Sequence, residues 1–455
     1  MELLNRRGVL RAGVVAAGVA GGVAVTAGPA AAAAADKGWI SVLDHYRDAQ
    51  GGERDDAGAI QAAISAATAM RPVRSVLLPP GDYTVDREIL VRGLDDAAIS
   101  GHGATITLTG AAATTSGASA VLKITDSHRF EISGLTIVDT EGTQPYNGVS
   151  IARSSRGTLD GVTVYGVKWT GLGVFDTTPG ASTDIAIVNC TVVGTKFGIS
   201  TNGHDVRIIG NHVAMYWPST AEAAAKGGVW SAPSDYYDGI NVLSGSDRTT
   251  VTGNTITECG QAGVYTQDCT NLVVSANTVT GCQLRGIEID GGTGVAVGVT
   301  ISGNTVADCK GQINLVRGRD VSVVGNRLTN TSSARAASLI AVNIGSSHVT
   351  VVGNHATQAH PTFPAVYVIA DATDVTVAAN EVVAGTPYQV PASVALLYRS
   401  AAGQFTVGGR LVATKGLGVG NAVAATTPGK VVSKVEVFSA TGASLGFVPV
   451  YQSIS

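Results

Sequence analysis

An aliphatic run ending in Gly-Asn or Ala-Asn returns seven times down the middle of this chain, at 206–213, 250–256, 272–279, 299–306, 321–328, 349–356 and 375–382. The marked residues are Asn211, Asn254, Asn277, Asn304, Asn326, Asn354 and Asn380, and in all but one copy a larger aliphatic stands two positions after the asparagine. They lie about one short repeat apart, except for a double-length gap before Asn254. Recurrence at this period with strand-like composition requires stacked units, a solenoid, rather than one globular core.

Each repeat alternates Val, Ile and Thr with polar residues, turns at Gly, Asn or Asp, and adds a second short strand such as Asp238-Gly-Ile-Asn-Val or Arg285-Gly-Ile-Glu-Ile. No helical period and no Leu-rich consensus accompanies it. The pattern predicts an all-β chain, a right-handed single-stranded parallel β-helix with coils stacked about 4.8 Å apart, so that like residues form ladders. The asparagines are expected to take the left-handed corner conformation and to hydrogen-bond up and down the stack. Hairpins of an antiparallel sandwich would need closer, less regular turns. Cys259, Cys282 and Cys309 each follow a ladder asparagine by five residues and should form one buried column. A straight column cannot wrap a tetrahedral ion, so no metal site is expected there. Cys190 and Cys269 lie elsewhere, and the odd total of five leaves at least one thiol unpaired within a monomer.

The N-terminus reads Asn5-Arg6-Arg7-Gly8-Val9-Leu10, then an uncharged Ala/Gly/Val stretch and small residues to Ala35. This predicts a twin-arginine signal over residues 1–35, cleaved near Ala35, and export of a folded protein from a bacterial cytoplasm to the exterior. A permanent anchor is disfavoured because Gly and Ala make the stretch weakly hydrophobic. Residues 36–391 would form the β-helix, with an N-terminal capping helix and an insertion at 214–238. Residues 392–455, where the Gly-Asn cadence stops, would form a small C-terminal β cap or an accessory module. Losing residues 1–35 removes three arginines and one glutamate, which takes the net charge from −4 to −6. Mild acidity without a basic cluster argues against nucleic acid or, after signal cleavage, a membrane as partner, and gives little long-range attraction to a strongly anionic polymer. A monomer or homotrimer is expected.

Past the signal, the segment from Val42 to Ile64 reads as a strand, a loop and a helix capped by Asp55 or Asp56. It runs on into Ser75-Val-Leu-Leu-Pro-Pro-Gly-Asp-Tyr-Thr-Val and Ile99-Ser-Gly-His-Gly. These residues resemble the N-terminal part of the pectate-lyase-like superfamily, which includes polygalacturonase-like and rhamnogalacturonase-like enzymes and phage tailspike depolymerases. There an acidic loop, a capping helix and a Pro-Pro-Gly-x-Tyr strand close the bottom of the β-helix. The resemblance covers about residues 40–390 as architecture and implies a polysaccharide or oligosaccharide substrate. It stops short of a reaction: the chain has no Asn-Thr-Asp, no Asp-Asp pair followed by Cys and no Arg-Ile-Lys in polygalacturonase-like order. Lys310 and Arg317 lack the wider spacing of alginate- or chondroitin-cleaving lyases. A likeness to fructotransferase-like enzymes is short. His102, inside Gly-His-Gly, reads as a corner residue.

Chemistry is then read from the outward face of the second strands. With Ile240, Val264, Ile287, Ile313, Val342 and Val366 inward, the outward column is Asn241, Tyr265, Glu288, Asn314, Asn343 and Tyr367. A neighbouring column carries Asn202, Gln267 and Asp290, with Asp238, Arg285, Lys310 and Arg317 around them. Glu288 and Asp290 are the expected catalytic pair. At i and i+2 of a strand their α-carbons stand about 6.5–7 Å apart, which overlaps the carboxyl separation of inverting glycosidases. Asp238, about one coil away, would replace either partner. Tyr265, Gln267, Arg285, Lys310, Asn241 and Asn314 would bind substrate. Trp217, Trp230 and Tyr237 of the insertion, with Lys168-Trp169 beside them, would stack on sugar rings. The plain alternative is a solvated face balanced by Arg285 and Lys310. Glycoside hydrolysis without a cofactor is the preferred reading. In a lyase, Tyr265, Lys310 or Arg285 would abstract a proton while a cation or Ca²⁺ neutralised a uronate; a glycan-binding surface protein would only bind.

Overall fold

The computed structural model describes residues 38–48, 55–109, 119–139, 147–215, 238–333, 337–383, 386–391, 394–399, 405–408, 431–438 and 444–451. A 12-stranded sheet runs along one face of a solenoid from Ile89–Arg92 to Thr386–Gln389, and a 26-stranded sheet wraps the remaining two faces. In one coil the chain passes through Ala262–Gln267 on face I, Val273–Ser275 on face II and Thr278–Thr280 on face III. Each coil supplies its own crossover, which is how neighbouring strands come to pair in parallel. Ile240, Val264, Ile287, Ile313, Ile340 and Val366 are successive partners in the core of face I.

The seven asparagines form the expected ladder, all buried at the corner between faces II and III. Asn277 Oδ1 accepts both the backbone N–H and the Nδ2 of Asn254 at 2.9 Å, while its own Nδ2 donates to Val251 O at 2.9 Å. Every step from Asn211 to Asn380 repeats this bond between side chains. The left-handed residue is not the asparagine, contrary to expectation, but the one before it: φ is 67° at Gly253, 63° at Gly303 and 53° at Ala276. The asparagine is thereby free to turn its amide along the stack, where a fully paired amide is stable in a dry interior. At the N-terminal end Cys190 takes the same place. Its N–H donates to Asn211 Oδ1 at 2.8 Å, its thiol donates to Leu159 O at 3.6 Å, and the preceding Asn189 is left-handed.

Cys259, Cys282 and Cys309 form the expected buried column, and none of the five cysteines is joined in a disulfide among the described residues. Opposite them stands a glycine column on face I that sequence reading missed. A Cβ on Gly263 would lie 2.3 Å from Val279 Cγ1 and 2.7 Å from Gly286 O, with Cys282 Sγ at 3.2 Å. The sulfurs fill the space that the glycines leave. Burial pushes the Cys190 thiol up to about 12 and that of Cys269 to about 11; Cys282, hydrogen-bonded to Cys259 and enclosed, is raised as well.

Helix α1 (Asp56–Ala69) covers the N-terminal end, its Asp55 cap accepting the Gly58 N–H at 2.8 Å. Asp56 is buried and accepts Tyr46 Oη and the Thr84 N–H, both at 2.5 Å, which ties the helix to Gly81–Val85. Val42–Asp48, expected as a strand, is a 3₁₀ turn; the strand is Trp39–Ser41. Toward the C-terminus, Ala395–Arg399 pairs in parallel with Thr373–Val383, and Phe405–Gly408 folds back antiparallel on it. Val431–Phe438 and Ser444–Tyr451 form an antiparallel pair. The signal region and the insertion residues Trp217, Trp230 and Tyr237 lie outside the described residues. No helix among the described residues is long and apolar enough to cross a membrane.

Candidate functional site

Strand register places Ser200, Asn241, Tyr265, Glu288 and Asn314 in one outward column of face I, with Tyr367 further along it. The expected column slips at one coil. Ile340, not Val342, continues the inward row, so Ala341 takes the outward place given to Asn343. Asn343 follows the end of the strand Ile340–Val342, yet its Nδ2 reaches back to Asn314 Oδ1 at 2.6 Å. Gln267 pairs with Asp290 in the neighbouring column. Asn202 instead serves local structure, bonding the backbone of Asp176 with both ends of its amide.

Three carboxyl groups gather on this face. Burial raises the pKa of Glu288, opposed by Asn314 Nδ2 at 2.8 Å from Oε1 and by the charge of Arg285, and reinforced by Asp290. Asp290 sits among donors: Tyr265 Oη lies 3.4 Å from its Oδ2 and the Gly292 N–H 2.8 Å from its Oδ1. Asp238 stands two coils before Glu288 by register, not one. It is 3% exposed, and burial pushes its pKa to about 7, with the charge of Glu288 adding to the rise against the Ala262 N–H at 2.9 Å. Burial also raises the Tyr265 phenol, and the neighbouring carboxylates push the same way. Asn241 is buried beside Asp238 with its Oδ1 lacking any donor, a state that costs about 1–3 kcal/mol unless a partner arrives.

On the C-terminal side of Glu288 a groove of about 320 Å³ opens between Arg285, Lys310 and Asn314 on one side and Phe363, Tyr367 and Gln389 on the other. Sequence reading missed Phe363, which precedes the strand Pro364–Val368, and Gln389, which continues the polar column one coil beyond Tyr367. Arg317 is occupied structurally, its Nε donating to Gly292 O at 3.0 Å. Trp169 packs edge-on to Phe197 at 5.8 Å with Lys196 over its ring. His102 is exposed in a turn beside the left-handed Gly103, as a corner residue should be. Among the described residues no group of three or more His, Cys, Asp or Glu side chains is arranged to hold a metal ion.

Residues 238–408 match the family model described as a right handed beta helix region. The chain is a right-handed parallel β-helix. A stretch of 83 residues is 34% identical to the tail spike protein of Salmonella phage epsilon15, covering 17% of this β-helix protein and 7% of that one, so the match spans a small part of the relative's length. The surface adhesin PfbA of Streptococcus pneumoniae superposes with a TM-score of 0.60 at 15% identity, over 82% of this chain and 100% of that structure. DFA-IIIase from Arthrobacter chlorophenolicus, without its lid, gives 0.55 at 15% identity, over 78% and 100%. At such identities these likenesses establish the β-helix itself.

Proposed function

We propose that this β-helix is an extracellular enzyme that hydrolyses glycosidic bonds of a polysaccharide, with Glu288 as proton donor and Asp290 as the base that activates water. The observation that carries the reading is the contrast between two half-buried carboxyls on one strand. Burial favours the protonated form of Glu288, while Asp290 is supplied with hydrogen-bond donors. A carboxyl pushed by burial toward its protonated form, beside a second one that accepts hydrogen bonds, suits an acid and its partner. The Glu288 carboxyl gives its proton to the glycosidic oxygen as the bond to the anomeric carbon breaks. Asp290 takes a proton from the water that attacks that carbon from the opposite face, and the configuration inverts.

Further support comes from the likeness to a tail spike and to DFA-IIIase, and from the twin-arginine pattern for an exterior location. The raised Tyr265 phenol weighs against proton abstraction by that residue, because a tyrosine base needs its phenolate within reach. The test is incubation of the protein and of Glu288→Gln with neutral and acidic polysaccharides. Reducing ends and the ultraviolet absorbance of an unsaturated uronate are read together. Reducing ends without absorbance, lost in the variant, support hydrolysis. Absorbance that survives the substitution moves the assignment to a lyase, and no product on any substrate favours a protein that only binds, as the adhesin PfbA is named for doing.

A further inference from the structure

We infer that the groove beyond Glu288 is a subsite for a sugar unit carrying an anionic substituent, a carboxylate or a sulfate ester, held by Arg285 and Lys310. Several arginines on the outer turns are neutralised: Arg129 by Asp96, Arg153 by Asp126, Arg207 by Asp184 and Arg248 by Asp205. Arg285 and Lys310 make no ion pair among the described residues, although both line a groove whose Asn314 bonds Glu288, and the charge of Arg285 acts on that carboxyl. A cation left unpaired in a concave polar site is available to a ligand anion.

The geometry favours a ring bearing that anion. Arg285 is half-buried, and its Nη1 lies 2.8 Å from where a Cβ on Gly311 would stand, so the guanidinium lies across the next coil and lines the groove. Asn314, already bonded to Glu288, forms the floor between the cations and the proton donor, and Tyr367 supplies an aromatic surface for a sugar face. The volume of about 320 Å³ lies at the lower end of the range for small-molecule sites. With a net charge of −4 the protein exerts no long-range pull on an anionic polymer, so selection for the anion must arise at contact. The location next to the scissile bond rests on the reading of Glu288 as proton donor; the selectivity for an anion does not.

The test uses Glu288→Gln, which removes turnover and lets binding be read alone. Polygalacturonate, alginate and chondroitin sulfate are each offered in native form, after reduction of their carboxyls to alcohols and, for the last, after desulfation, with titration calorimetry as readout. The inference expects at least one native chain to bind roughly tenfold more tightly than its neutralised form, with a similar loss on Lys310→Gln or Arg285→Gln. The group whose neutralisation brings that tenfold loss identifies carboxylate or sulfate. Lys310 is exposed, so its variant folds even if the Arg285 variant does not. Equal binding of native and neutralised chains, binding indifferent to Lys310→Gln, or no binding to any anionic chain overturns the inference. Hydrolysis of a neutral chain by the unsubstituted protein would leave the catalytic reading standing in those cases. Anion-selective binding without any product would sink only the catalytic one.

Discussion

Asn314 donates its Nδ2 to Glu288 Oε1 at 2.8 Å from the next coil, and Asn343 in turn donates to Asn314 Oδ1 at 2.6 Å. The bond to Glu288 favours the carboxylate and so opposes the burial that raises this group. Removing it with Asn314→Ala should raise the Glu288 pKa further. If the protonated form is the active one, the alkaline limb of the pH–rate profile of kcat/KM moves to higher pH. A limb that stays in place or moves down would show that Glu288 does not act as the acid.

Asp238 makes the fold itself sensitive to pH. An aspartate carboxyl in open solvent ionises near 3.8, whereas this one, enclosed in the folded chain, ionises at about 7. The unfolded chain therefore loses this proton first. Stability from this group is full below the lower value and declines as pH rises toward the upper one. Asp238→Asn keeps an acceptor for the Ala262 N–H but cannot ionise. The variant should gain on the parent by a few kcal/mol between roughly pH 4 and pH 8, at about 1.4 kcal/mol for each tenfold difference in proton affinity between the two states. Chemical denaturation of both proteins across that range checks the difference.

The asparagine corner should be costly to interrupt in the middle and open to extension at the end. Asn304→Ala strands the backbone N–H and the Nδ2 of Asn277 and the carbonyl of Val274. At about 1–3 kcal/mol for each buried group, a loss of several kcal/mol is expected. Cys190 already sits in the same socket, with the Asn211 acceptor at its N–H and the Leu159 carbonyl before its sulfur. Cys190→Asn should accordingly cost under about 1 kcal/mol or stabilise the protein. Denaturant midpoints of the two variants should fall on opposite sides of a wide gap.

The five thiols should be silent in the native protein. All are buried, and those of Cys190, Cys269 and Cys282 are raised, so little thiolate is present near neutrality. An alkylating reagent should label none of them until the chain is unfolded, after which mass spectrometry should count five. Gly263→Ala should expose them at lower denaturant, because its methyl group collides with Val279 and with the carbonyl of Gly286.

Much of this was legible in the sequence because a solenoid stacks like on like. The asparagine ladder and the cysteine column each repeat at a fixed offset. What escaped has physical reasons. A period of two cannot distinguish Ile340 from Val342 as the inward residue, since both face the core, and only pairing to Ile313 decides it. The left-handed conformation belongs to Gly253 or Ala276 rather than to the asparagine because the amide must lie along the axis. The glycine column carried a signal that went unread: Gly239, Gly263 and Gly286 each precede the first inward aliphatic of their strand. The enclosure of Asp238 depends on residues of other coils and leaves no local trace.

The division of labour within each coil has a consequence for how such a protein changes over time. Corners and inward aliphatics hold the stack, while the coils lend face I a column of side chains that point away from the aliphatic row. A coil can therefore be copied, dropped or exchanged between matching asparagines, and its outward residue rewritten, without renegotiating the interior. The cradle around Glu288 is in that sense a line of movable type, set one coil at a time on a frame indifferent to what it spells.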